Sequence, residues 1–398
     1  MEEWKKNLYI LTVSVFIVMA GMTMIIPFLP LYLQQLGVTD PEQVSIWSGL
    51  IFGINFFSAF LVSPLWGKLA DRYGRKLMVL RSGVGMSIVM VLMGFATGPW
   101  SLFFFRLLNG VISGFNPAAI TLVSTNTPKK HVGYALGILQ AGSVSGSICG
   151  PLFGGLLANV FGFRAIFNLT GIFIGIATIA VYFLVKESFQ APKNEEKTST
   201  KQDFKKIVSV RPIPSIFLVV FLIQFALVGI NPMISLFVDE LSAGVNSAFY
   251  AGLAVSAMGF ANMLASPQLG KLSDKKGAQY VLLAALIGAV LFSIPQAFVT
   301  ELWQLITMRF MIGLCLGGLL PAANALIRRL APEGMESRTY GFSNSFLFLG
   351  NMLGPMTAGM IAAQLGIRSL FLFSSFLLII GLVVMKKNIV PRMKNRST

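Results

Sequence analysis

The sequence predicts an all-α membrane protein of twelve transmembrane helices, arranged as two pseudo-symmetric six-helix bundles. Three observations predict it. Of 398 residues, 55% are hydrophobic and 12% charged, with a mean hydropathy of +0.76. Apolar runs of about 18 or more residues recur, each long enough to cross a hydrocarbon layer of about 30 Å; a membrane barrel would show short alternating segments instead. The second half of the chain also repeats the first at an offset of about 203 residues.

The apolar runs place spans at 8–33, 45–66, 77–96, 100–124, 133–157, 163–185, 213–238, 247–268, 278–298, 302–327, 341–363 and 369–386. Twelve spans leave both termini on one side. With that topology, 27 of the 31 Lys and Arg fall on the terminal face, including five between 67 and 81 and seven between 186 and 212. The opposite face holds Arg164 and Arg368, and Arg106 and Arg309 lie inside spans. Positive-inside bias makes the basic face cytoplasmic in a cell membrane. The net charge of +16 is thus a topology signal and not a nucleic-acid footprint. The first span is too long for a signal-peptide core, lacks a small-residue cleavage site and is followed by further spans, so it is expected to stay. Cys149 and Cys315 both fall within spans and indicate neither a disulfide framework nor a metal site. The lone histidine, His131, reads as a solvated loop residue. No nucleophile–base pair, metal cluster or phosphate loop appears, so neither an enzyme nor a cofactor is expected.

The internal repeat is residue by residue. SPLWGKLADRYG (63–74) returns as SPQLGKLSDKKG (266–277). Arg106, Gly110 and Gly114 return as Arg309, Gly313 and Gly317; Gly146, Gly150, Pro151 and Gly155 return as Gly350, Gly354, Pro355 and Gly359. A parallel repeat of six spans implies two bundles related by an axis along the membrane normal: residues 1–185 and 213–398, joined by a polar cytoplasmic linker at 186–212. A short helix near 203–210 fits the linker's pattern, but its simplest role is to tie the halves together.

Between spans 2 and 3 the chain gathers scarce charge in GKLADRYGRK, residues 67–76. Gly67 would let the end of span 2 approach a neighbouring helix, and Gly74 would permit a turn that other residues resist. Asp71 is an acid at a helix junction, suited to the positive N-terminal end of another helix, a contact worth roughly 0.3–2 kcal/mol. Arg72, Arg75 and Lys76 would meet water and lipid headgroups. Gly270, Asp274 and Gly277 form the weaker copy. This constellation resembles the loop 2–3 signature of the major facilitator superfamily, and the resemblance extends over essentially the whole chain. It implies that Asp71 faces the start of span 11, near Gly341, as a gating latch on the inner mouth.

Ionisable residues inside spans are costly and usually functional. Arg106, with Asn109 and Gly110, is similar to the family's span 4 signature, which implies a part in proton coupling; Arg309 is its repeat. In span 5, Gly142, Gly146, Gly150, Pro151, Gly154 and Gly155 would flatten and bend the helix, and resemble the motif of the drug:proton antiporter branch. The whole chain is similar to the MdtG/PmrA-like bacterial exporters of that branch. It departs from the drug-carrier pattern in one respect: none of its fifteen Asp and Glu lies mid-span. Asp239 and Glu240, at the end of span 7, and Asp71 remain as carboxylate candidates for coupling, and a preference for cationic drugs is weakened.

The other polar residues of the inner spans are neutral. Asn55, Asn109, Asn116, Gln140, Gln224, Asn231, Asn262 and Asn344 mix with Met24, Phe56, Met233, Met258 and Phe348. Such a lining suits amphipathic ligands, with adaptable apolar surface and scattered amides. Asn231-Pro232 is expected to interrupt span 7, as Pro27 and Pro30 interrupt span 1. The reading is a single-chain carrier exporting amphipathic drugs by proton antiport and alternating access. A same-fold carrier of one physiological solute, a lipid or a sugar, and a non-transporting receptor or scaffold stand as alternatives.

Overall fold

A computed structural model describes residues 2–187, 200–333 and 335–391, with the side chains of Lys68, Asp71, Lys129, Thr200, Lys201 and Ser337 outside that description. Among the described residues every regular element is helical. In chain order the α-helices are α1 (Glu3–Met24), α2 (Leu29–Gln35), α3 (Pro41–Tyr73), α4 (Arg75–Gly94), α5 (Pro99–Ile112), α6 (Phe115–Asn126), α7 (Val132–Leu184) and α8 (Thr200–Ser209). They continue as α9 (Pro212–Gly229), α10 (Ile234–Ser242), α11 (Ser247–Lys276), α12 (Ala278–Ser293), α13 (Leu302–Leu330), α14 (Glu336–Leu365) and α15 (Ile367–Val384). Among the described residues, eleven stretches are long and apolar enough to cross a membrane. One of them, α7, turns at Gly162, where φ is 76°, and so supplies spans 5 and 6. The total is twelve.

Proline sets the interruptions. α1 gives way at Pro27 to a 3-10 turn, Ile26–Phe28, before α2 resumes the span. The same device at Pro232, in the turn Asn231–Met233, divides span 7 into α9 and α10. Span 4 also breaks, between α5 and α6, where the continuous run suggested one helix. Pro117 sits in the first turn of α6, and its ring excludes a helical carbonyl four residues back, at Ser113. Gly114 takes φ 130° there, a conformation that costs glycine little. The repeat is unequal at this point, because α13 runs unbroken through span 10.

The chain divides into two compact units. The first comprises 1–40, 54–195 and 245–256. Its organising contact is α1 on α7: a Cβ at Gly142, Gly146, Gly150 or Gly154 would strike the carbonyl oxygens of Thr12, Phe16, Ala20 or Met24 respectively. Both helices advance four residues per contact, so a ridge of one lies in the groove of the other. Gly155 meets the backbone of Ala248 and Phe249, and Ser256 donates to the carbonyl of Ile148 at 2.7 Å. These contacts bring the first turns of α11 into this unit. α4 packs on the second half of α7, where Ser87 donates to the carbonyl of Gly171 at 2.7 Å.

The second unit comprises 41–53, 196–244 and 257–398. α14 lies on α9, with Gly350 and Gly354 against the backbone of Phe221 and Phe225. The start of α3 joins through Gly49, against the carbonyl of Pro355. Its core is aliphatic, built from Ile216, Val220 and Ile223 of α9, Leu282 and Leu286 of α12, and Leu319, Leu326 and Ile327 of α13. Ile207 of α8 is buried in this core, so the linker segment holds a docked helix and does more than connect.

Candidate functional site

In the first unit the site grows from the contact of α5 with α3. Gly110 presses on the carbonyl of Asn55 and the hydroxyl of Ser58, and that closeness lets Asn109 donate from Nδ2 to Oδ1 of Asn55 at 2.8 Å. Asn109 is fully buried and Asn55 nearly so. One turn earlier on α5, Arg106 is 3% exposed, and its Nε and Nη2 have no partner among the described residues. Asn116, just past the break in span 4, donates to Ser143 at 3.3 Å. Met24 lies against Gly154 and Thr170. Phe56 is half-buried, and Gln140 is exposed.

The break in span 4 draws in two residues that the sequence reading did not single out. Trp66 donates from its indole to the carbonyl of Val111 at 2.7 Å. Arg81 lies over the Trp66 ring at 3.4 Å and donates to the carbonyl of Ser113 at 3.2 Å. The sequence counted Arg81 with the basic loop. Because α4 starts immediately after Gly74, Arg81 falls nearly two turns inside the helix. The signal for this cluster was present in Gly114 and Pro117, which mark where carbonyls come free.

In the second unit the repeat arginine, Arg309 of α13, is also 3% exposed. Its Nη1 donates to Oδ1 of Asn231 at 3.4 Å and lies 3.6 Å from the sulfur of Met258. Its Nε and Nη2 are unpartnered among the described residues. Gly313, one turn on, presses on the carbonyl of Met258 and holds α13 against α11. Asn231 is presented by the interruption of span 7, so the proline break and the buried arginine meet. Met233 is fully buried and Gln224 almost so. Ser266 donates to Asn262 at 3.0 Å. Phe348 is half-buried and Asn344 exposed.

At the basic ends the signature residues separate into distinct roles. Gly74 has φ 95° and its copy Gly277 has φ 97°, so both glycines make the turn expected of them. The close approach expected at Gly67 is not seen among the described residues: none of them lies within 4 Å of where its Cβ would stand, and the same holds at Gly270. The reason is that α3 and α11 continue as helix beyond these glycines. The Asp71 side chain lies outside the described residues. Arg72 lies over the ring of Tyr73 at 5.3 Å, and Asp274 is exposed. The exposed N–H groups of the turn find an acid that the sequence reading passed over. The backbone nitrogens of Arg75 and Lys76 donate to the two carboxylate oxygens of Glu187 at 3.0 and 2.9 Å. Lys186 beside it is fixed on both sides, its carbonyl accepting from Asn7 and Asn126 and its N–H donating to Asn7. His131, expected in solvent, stacks on Trp4 with ring centroids 5.2 Å apart.

At the opposite ends, Arg164 donates to the carbonyl of Ala96 at 3.4 Å. Its repeat, Arg368, donates to the carbonyls of Ala297 and Val299 at 3.2 and 2.9 Å and reaches Glu240 at 3.3 Å. Glu240 is thus engaged by an exposed ion pair, one residue after Asp239.

A twelve-span helical architecture with buried arginines and neutral amides within its spans has the features of a membrane transporter. A family model described as Major Facilitator Superfamily matches residues 11–252 and 216–397, and the chain belongs to that family. It is 40% identical over 370 residues to the multidrug resistance protein MdtG of Salmonella arizonae, covering 93% of this chain and 92% of that one. To MdtG of Proteus mirabilis it is 38% identical over 383 residues, covering 96% and 95%. Its fold is similar to the crystal structure of a bacterial homologue of the human lysosomal transporter Spinster, in an inward-facing and unoccupied conformation. The TM-score is 0.80 at 17% identity, covering 97% of this chain and 96% of that one.

Proposed function

We propose that this chain is a multidrug exporter of the cell membrane, moving amphipathic compounds outward by alternating access. What carries the reading is identity of about 40% over 93% of the chain with a protein named for multidrug resistance. Both termini are assigned to the cytoplasm by the excess of Lys and Arg at those ends, and a single chain is the working unit. Proton antiport drives export. Arg106 is the first candidate for coupling, since a buried arginine beside an amide pair responds strongly to any charge brought near it. Asp71, Asp239, Glu240 and Arg309 are the other candidates. Asp71, Arg72, Gly74 and Arg75, with Asp274 and Gly277 in the repeat, serve the inner gate. The bonded amides Asn55 and Asn109, with Met24, Phe56, Asn116, Gln224, Asn231 and Met258, contribute polar and adaptable surface for ligands.

The test is efflux of ethidium from proteoliposomes holding the purified protein under an imposed pH gradient. Efflux that stops on adding a protonophore is expected. Efflux that continues at the same rate rejects proton antiport, and correctly folded protein that moves no amphipathic dye rejects the multidrug reading.

A further inference from the structure

We propose that Arg309, Asn231 and Met258 form a receptor for the anionic headgroup of an amphipathic substrate, with the Arg309 guanidinium accepting a carboxylate edge-on. This rests on reading the chain as an exporter of amphiphiles, and it replaces the coupling role for which Arg309 was a candidate with a ligand role.

Arg309 keeps one edge of its guanidinium unused among the described residues. Nε and Nη2 lie on the same edge of a guanidinium and point in parallel. They are the pair that a carboxylate bridges with two bonds. In Arg309 both are buried and unpartnered among the described residues. The remaining nitrogen, Nη1, meets an amide oxygen at 3.4 Å and a thioether at 3.6 Å. Both are neutral, long contacts that orient the fork without neutralising it.

Two arginines near helix ends are spent on carbonyls, one of them also on the acid Glu240. Arg368 meets Ala297 and Val299, and Arg164 meets Ala96. Arg309 meets no carbonyl and no acid in any bond found among the described residues. A buried charge left this way is costly and persists where a function requires it.

α9, α12 and α13 contain no Asp or Glu, and the acid of α11, Asp274, stands sixteen residues beyond Met258, about 24 Å along a helix. The acids of α10, Asp239 and Glu240, stand eight and nine residues beyond Asn231, about 12 Å or more along a helix, and Glu240 is engaged with Arg368. α9 and α12 are otherwise largely aliphatic, and α11 and α13 add Met258, Met263, Met308 and Met311, a lining suited to an apolar body attached to the anion. Arg106 offers the same free edge, but no hydrogen bond found among the described residues orients its fork, so the better-built receptor is at Arg309.

The probe is dansyl-aminoundecanoic acid, compared with its methyl ester, with binding to purified protein in phosphatidylcholine nanodiscs followed by fluorescence. The wild-type protein is expected to prefer the acid. Arg309→Gln is expected to weaken acid binding by about 10- to 100-fold, the worth of a charge-assisted bond, while ester binding stays within about twofold. Arg309→Lys, which keeps charge but loses the fork, is expected to fall between. No preference for the acid in the wild-type protein overturns the proposal without any variant, and so does equal loss of acid and ester binding in a folded Arg309→Gln. Displacement of the acid by phosphatidylglycerol added to the nanodiscs gives the site to a lipid headgroup and overturns the substrate assignment. Ethidium efflux separates this from the parent reading. Acid preference without efflux rejects the exporter, whereas efflux without acid preference rejects only the receptor.

Discussion

The guanidinium of Arg338, in the first turn of α14, donates to the carboxylate of Asp203 in α8 at 2.9 Å. Phe204 rests on Phe342 with ring centroids 5.0 Å apart, and Ile207 is fully buried below them. Three adjacent contacts on one face thus fasten the end of the linker to the start of span 11. Arg338→Ala should loosen α8 without unfolding its unit. Because Arg338 is 43% exposed, the bond is worth about 1 kcal/mol after solvent screening, which is roughly a fivefold rise in local opening. Amide exchange across 200–209 should speed up by that amount while exchange in α9 stays fixed. Ile207→Asp, which puts a charge in the core, should release α8 altogether.

Glu187 caps α4 from more than a hundred residues away in sequence, satisfying two N–H groups that have no partner within their own helix. Glu187→Ala should lower stability by about 1 kcal/mol, as the loss of an N-cap does, and Glu187→Gln by less, since one acceptor oxygen survives. Thermal unfolding in detergent reads both. A Glu187→Ala protein that melts with the wild type would show that water serves these groups equally well.

Much of the fold was legible because lipid makes simple demands. A span must be apolar for its length, so hydropathy placed the twelve crossings, and Pro27, Pro232 and the glycines of α7 acted where they stood. What was missed depends on partners distant in sequence. Asp203, Phe204 and Ile207 have helical spacing, but nothing local names Arg338 or Phe342. Glu187 looks like one more linker charge until the turn at Gly74 aims Arg75 and Lys76 at it. The break at Ser113 escaped notice because hydropathy is indifferent to backbone direction. At Gly67 the repeat was real but its reason was misread: α3 simply continues past it. Arg106 and Arg309 were found from their cost alone, and their unused donors appeared only with geometry.

The glycine face of α7 gives a sharp test of packing. Gly146→Val would drive a branched side chain into the Phe16 carbonyl of α1. Overpacking of this kind costs about 1–3 kcal/mol, and the backbone there has nowhere to move. Expression of folded protein should fall strongly. On the same helix, Gly137→Ala meets nothing within 4 Å and should be silent or slightly stabilising, through helix propensity. Equal behaviour of the two variants in size-exclusion chromatography would refute the packing argument.

Asp71→Asn removes a charge and little volume at the joint proposed as the inner gate. Transport should drop by tenfold or so, the equivalent of about 1.4 kcal/mol in a gating equilibrium. Membrane insertion and melting temperature should stay near wild type. Dye efflux at the wild-type rate would take Asp71 out of the gate.

The Asn55–Asn109 pair separates structure from function through a double-mutant cycle. Each single alanine leaves one buried amide without its partner, at about 1–3 kcal/mol. Asn55→Ala and Asn109→Ala should therefore both lower the melting temperature. The double variant removes both orphans, so its loss should be smaller than the sum, with a coupling of about 0.5–1.5 kcal/mol. Transport is expected to follow a different rule. If the amides sit beside Arg106 to receive ligand or proton, the double variant regains stability but stays inactive. Restored efflux together with restored stability would reduce the pair to a packing device, joining α5 to α3 and nothing more.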